Sequence, residues 1–79
     1  MCLSWSKPGP AGIVEGGAPL SDGRVTAEVY RSGQVWYWVA RRWGRDQWVV
    51  ASAHGSAASE GGAKGAARAL AEFWRDYTA

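Results

Sequence analysis

The sequence predicts an α+β domain in two layers, a three-stranded antiparallel β-meander packed on one C-terminal α-helix. Three observations predict it. From Arg24 onward apolar residues alternate with polar ones, the period of a half-buried strand. Short turn signals at Ser32-Gly33 and at Gly44-Arg45-Asp46 divide that stretch, and turns this short join antiparallel neighbours. After Ser59 the apolar period changes to three and four, that of a helix.

Residues 1–23 form an arm and residues 24–79 the βββα domain. The arm holds Pro8, Pro10 and Pro19 and five glycines, a composition that favours irregular chain. At most one short strand is expected in it, near Ile13 and Val14. The first strand of the domain places Val25, Ala27 and Val29 on one side and Arg24, Thr26, Glu28 and Tyr30 on the other. The second, Val35 to Arg42, is dense in residues that favour sheets, and Gln47 to His54 forms the third. With Ser32-Gly33 and Gly44-Arg45 as the centres of two-residue turns, Val29 faces Trp36, Ala27 faces Trp38 and Val25 faces Ala40. On the other side Trp36 faces Ala53, Trp38 faces Ala51 and Ala40 faces Val49. Cross-strand partners share a face, so these residues make one apolar surface. A one-residue change in either turn would invert a whole strand.

The helix is expected over residues 59–77. Ser59 is a favoured N-cap and Glu60 suits the positive end of the helix dipole. Ala63, Ala66, Ala67, Leu70, Phe73, Trp74 and Tyr77 form the stripe that meets the sheet. A 79-residue chain buries only roughly 60% of its unfolded surface, and much of its apolar content is alanine. Six tryptophans must therefore supply the bulk, with Trp36 and Trp38 as the expected core.

Composition excludes several classes. Cys2 is the single cysteine, so a disulfide framework is impossible and a reducing compartment is expected. No apolar run approaches the roughly 20 residues of a membrane span, and the start lacks a signal peptide's pattern. The chain reads as cytoplasmic, with no membrane partner. His54 is the only histidine and has no second histidine or well-placed cysteine to share a metal or a nucleophile. Lys64 among Gly61, Gly62 and Gly65 does not make a phosphate loop, because Lys-Ser or Lys-Thr is missing. The carboxylates are dispersed. The reading is a protein that is not an enzyme and needs no cofactor or metal.

Charge points to the sheet. Net charge is +2, but residues 24–54 set five arginines against Glu28 and Asp46, for +3, while the arm carries −1 and the remainder balances. Arginine makes bidentate contacts to carboxylates and phosphates and stacks on aromatic rings. The face turned away from the helix combines Tyr30, Tyr37 and Trp48 with Arg24 and Arg41. Beside it lies the run Arg41-Arg42-Trp43-Gly44-Arg45. The candidate partner-binding residues are thus Arg24, Tyr30, Tyr37, Arg41, Arg42, Trp43, Arg45 and Trp48. Such a mixture suits a nucleic acid, whose bases stack while arginine meets phosphate. It equally suits a protein, since these types are enriched at hot spots. Other expectations are a solvated face, a hairpin tip that discourages aggregation, and cover by the arm or by a second copy of the chain. Monomer and weak homodimer both remain open.

Two family likenesses follow. Three strands and a helix, with Trp36-Tyr37-Trp38-Val39 and then Ala63-Lys64-Gly65-Ala66-Ala67, resemble in pattern the small DNA-binding domains at the start of phage-type integrases, which implies a sheet that enters the major groove. In size and character the whole chain resembles the small phage-encoded anti-CRISPR proteins aimed at type I effector complexes. That resemblance implies a non-enzymatic inhibitor in a bacterial host, binding a Cascade-type complex and blocking target-DNA binding or nuclease recruitment. Many members of that group are acidic DNA mimics; this chain departs from them with its basic sheet, which argues against mimicry and leaves occlusion of a protein surface open.

Overall fold

Strand pairing continues further toward the N-terminus than the arm's glycines and prolines suggest, and the sheet has five strands instead of three. The structure is a computed structural model that describes residues 3–9, 12–20 and 22–78, with side chains as far as Arg75. Its elements are β1 (Ser4–Trp5), β2 (Val14–Leu20), β3 (Gly23–Ser32), β4 (Val35–Gly44), β5 (Val49–Ala57) and α1 (Glu60–Thr78). All strands are antiparallel, in the order β1-β2-β3-β4-β5, and α1 covers one face.

Residues expected to be irregular build β1 and β2. Val14, Gly16 and Ala18 lie opposite Val29, Ala27 and Val25, so the apolar face of β3 extends across β2. Gly16 belongs there for a steric reason. Trp5 is its cross-strand partner, and a Cβ at Gly16 would lie 2.6 Å from the Trp5 ring. Among the described residues β1 pairs only with Gly16 and Gly17, so Pro19 interrupts none of the described β1–β2 pairs.

The β3–β4 turn is centred on Gly33-Gln34, one residue later than expected. Gly33 has φ 65° while Gln34 does not leave negative φ, the combination of a type II′ turn with glycine at its first central position. Val29 consequently faces Trp38 and Ala27 faces Ala40. This is an even shift, so each side chain keeps its predicted face.

The β4–β5 connection departs twice from the expected form. Arg45, Asp46 and Gln47 make a three-residue loop, closed by Gln47 N–H donating to Gly44 O (3.1 Å) and Gly44 N–H donating to Trp48 O (2.9 Å). Gln47 takes φ 66°, the left-handed position of such loops. A three-residue loop alone would invert β5. A bulge then restores it, because Trp43 pairs with Val49 while Arg42 pairs with Ala51, and Val50 is the extra residue. Ala51 and Ala53 therefore stay beneath the helix, but Val49, expected in the core, is exposed.

Ser59 caps α1 as predicted, its Oγ accepting from Gly62 N–H at 3.0 Å. The buried stripe is Ala63, Ala67, Ala71 and Trp74, with Leu70 partly buried. Ala71 thus replaces Phe73, which is 59% exposed. Alanines four apart make a smooth ridge that brings the helix close to the sheet, and rotation toward that ridge turns Phe73 outward. Tyr77 lies outside the described side chains. Trp74, Leu3, Val25, Ala27, Ala40, Ala67 and Ala71 form the main core cluster. Trp36 and Trp38 are only half-buried. Trp38 lies flat on its partner Gly55, where a Cβ would stand 2.8 Å from the indole Nε1.

Candidate binding surface

Helix packing leaves the other face of the sheet open. The described residues of the arm do not cover it: β1 joins the sheet edge-on at β2, and Leu3 and Trp5 pack on the helix side. Lys64 Nζ stands 5.5 Å from the Trp5 ring centroid, which ties α1 to that edge.

The open face is built from cross-strand pairs. Tyr30 lies directly opposite Tyr37, their rings stacked with centroids 5.6 Å apart and planes at 25°. Next along the strands, Arg41 Nη1 donates to Glu28 Oε1 at 3.2 Å. Beyond it, Trp43 Nε1–H donates to Thr26 Oγ1 at 2.8 Å, which fixes the indole. The Arg24 guanidinium lies 4.8 Å from the centroid of that ring and donates to Gln47 Oε1. Glu15, Thr26, Glu28, Arg41 and Trp43 surround a concavity of ≈ 220 Å³ floored by Gly16 and Ala27. On β2, Gly17 is the residue opposite Thr26, so it adds no side chain to this face beside Thr26.

The predicted site does not stay together. Arg24, Tyr30, Tyr37, Arg41 and Trp43 share the open face. Arg42 does not, since it pairs with the core residue Val25 and points to the helix side. Its side chain is 17% exposed, and its Nη2 donates to both Asp22 carboxylate oxygens at 3.1 Å. Its Nε is buried without an acceptor. Arg45 and Trp48 belong to the β4–β5 loop, not to the face, and Trp48 is 71% exposed. The run from Arg41 to Gly44 is strand, not hairpin tip, so its alternation splits the arginines between two surfaces.

The electrostatic picture changes accordingly. Glu15 lies opposite Glu28, and these two carboxylates balance Arg24 and Arg41. The open face therefore has no net charge. Of the other arginines of the sheet, Arg42 is neutralised by Asp22, Arg31 lies at the far hairpin and Arg45 in the β4–β5 loop. Composition alone assigns Glu15 to an irregular arm, and only the pairing of β2 with β3 places it on this face. His54, between Ser52 and Ser56, is exposed on β5.

Among the described residues no cluster of three or more His, Cys, Asp or Glu side chains could hold a metal ion. None of their helices is long and apolar enough to cross a membrane. Comparison with protein-family models, with curated proteins and with solved structures found no match.

Proposed function

We propose that this protein is a non-enzymatic binding module that docks its open sheet face on a protein and occludes that surface. The observation that carries the reading is the internal neutralisation of the face. A nucleic-acid surface needs arginines free to neutralise phosphates. Here Arg41 is committed to Glu28 and Arg24 to Gln47 and Trp43, with Glu15 beside them. What remains on offer is aromatic and polar surface, of the type that supplies protein hot spots. The likeness in size and character to phage-encoded anti-CRISPR inhibitors supplies the partner class, a Cascade-type effector complex in a bacterial cytoplasm.

The test is retention of purified type I effector complexes by the immobilised chain, alongside titration with DNA and RNA at low salt. The expected result is capture of a complex, weakened at least tenfold by Tyr37→Ala with Arg41→Ala and unchanged by Arg68→Ala on the helix. Failure to capture any such complex removes the assigned partner class. Binding to nucleic acid with a log–log salt slope near −0.9 per phosphate contact would replace the reading by the nucleic-acid one.

A further inference from the structure

We infer that the free edge of β5 pairs with β5 of a second copy, antiparallel and about a two-fold axis through His54. This goes beyond the reading above, which concerns the face and not the edge.

β5 is the last strand of the sheet, and no described strand lies beyond it. The two-residue turn at Gly33-Gln34 makes Ser32 and Val35 a hydrogen-bonded pair. Alternation then aims the backbone groups of Trp36, Trp38, Ala40 and Arg42 at β5. Their partners Ala57, Gly55, Ala53 and Ala51 bond back to β4, so the N–H and C=O groups of Ser52, His54 and Ser56 point outward, with no strand among the described residues to pair them. Natural sheets guard such an edge with lysine, proline or inward charge. Residues 51–57 contain none of these. The bulge at Val50 ends the regular edge at one side only.

The sequence of this edge identifies its occupant. Residues 51–57 read Ala-Ser-Ala-His-Gly-Ser-Ala, close to a palindrome about His54. An antiparallel two-fold pairing sets Ala51 against Ala57 of the second copy, Ser52 against Ser56, Ala53 against Gly55 and His54 against itself. Small residue meets small residue and hydroxyl meets hydroxyl, the self-complementarity that a two-fold interface requires. Serine pairs across strands also hydrogen-bond. An unrelated peptide would have no reason to match this symmetry.

There is room for the helices. Cross-strand partners share a face, so both copies of α1 lie on the same side. α1 sits chiefly over β3 and β4 and touches β5 less than either. With strands about 4.8 Å apart, the two helix axes stand roughly 14–19 Å apart, outside the 8–10 Å of packed helices. The two open faces join into one continuous surface.

The experiment uses the full chain with Cys2→Ser, and His54→Cys added. A hydrogen-bonded antiparallel pair has Cα atoms about 5.5 Å apart, within disulfide range. Mild oxidation is expected to give a disulfide-linked dimer for His54→Cys, and none for Ser52→Cys, which faces Ser56. Light scattering of the wild type is expected to give a concentration-dependent dimer mass. His54→Lys, which sets two lysines against each other on an exposed site, should raise the dissociation constant at least tenfold while circular dichroism remains that of the folded chain. A monomer mass across the micromolar to millimolar range, or cross-linking by Ser52→Cys and not His54→Cys, overturns the proposal. No docking partner is present in these measurements, so their failure leaves the reading of the open face untouched.

Discussion

Adding one methyl group at Gly55 is expected to destabilise the fold. A Cβ there would lie 2.8 Å from Trp38 Nε1 and 2.9 Å from Cε2 and Cζ2. Ordinary carbon contacts are about 3.5–4.0 Å, so the indole must lift by most of an ångström. Trp38 is half-buried and packs on the core cluster, which resists that movement. Overpacking of this kind costs about 1–3 kcal/mol. Against it stands the lower chain entropy of alanine in the unfolded state, about 0.4–1 kcal/mol. A net loss of roughly 1–2 kcal/mol corresponds to a Tm lowered by roughly 4–16 °C in a domain of this size. Thermal melts followed by circular dichroism read the change directly. Trp38→Leu removes the ring, and in that background Gly55→Ala should be neutral or stabilising. A higher Tm for Gly55→Ala alone, or the same cost in both backgrounds, would refute the stacking argument.

Two further substitutions test the loop and the core. Gln47→Gly relieves a left-handed residue (φ 66°), worth about 1 kcal/mol, and gives up one exposed hydrogen bond to Arg24; the Tm should rise by a few degrees, whereas Gln47→Ala, which loses the bond and keeps the strain, should lower it. Trp74→Ala deletes the most buried tryptophan, 8% exposed, at a cost of about 3–5 kcal/mol. Since 79 residues sustain about 4–12 kcal/mol in all, urea should unfold this variant at far lower concentration, and an unshifted midpoint would show that Trp74 is not core.

The core of the fold was legible because two errors of one residue cancelled. Reading Gly44-Arg45 as a two-residue turn omits one loop residue, which by itself would have put Ala51 and Ala53 on the wrong side. The bulge at Val50 adds the missing step. Val49, caught between loop and bulge, changed face, and Trp48 left the strand for the loop. Neither device leaves a signal in composition, because the left-handed loop position is filled by glutamine and the bulge by valine. The strand β2 was illegible for a different reason. Its glycines and proline depress strand propensity, yet Gly16 is required by the Trp5 ring that lies on it, and that ring comes from eleven residues away along the chain. Contacts across such a separation are not written in local pattern. Phe73 and Ala71 show the same limit on the helix, where an apolar stripe wide enough to include both does not say which edge of it meets the sheet.

For the binding surface, the aromatic residues were readable and the charge was not. Alternation suffices to put Tyr30, Tyr37 and Arg41 on one face, because β3 and β4 are long and regular. Whether an arginine on that face is available depends on what stands across from it. Glu28 reaches Arg41 from the neighbouring strand, Gln47 reaches Arg24 from the loop, and Asp22 holds Arg42 on the opposite side. Each of these partners is 13 to 23 residues distant in sequence, so a count of charges along the chain overstates the field they project. A surface pairing its own charges attracts phosphate weakly, whereas a partner protein that inserts its own carboxylate or guanidinium can exchange these pairs one for one. Exchange of this kind costs little only when the incoming group is held by a folded surface, since the existing pairs already satisfy the same atoms. That asymmetry favours a structured protein partner over a flexible polyanion.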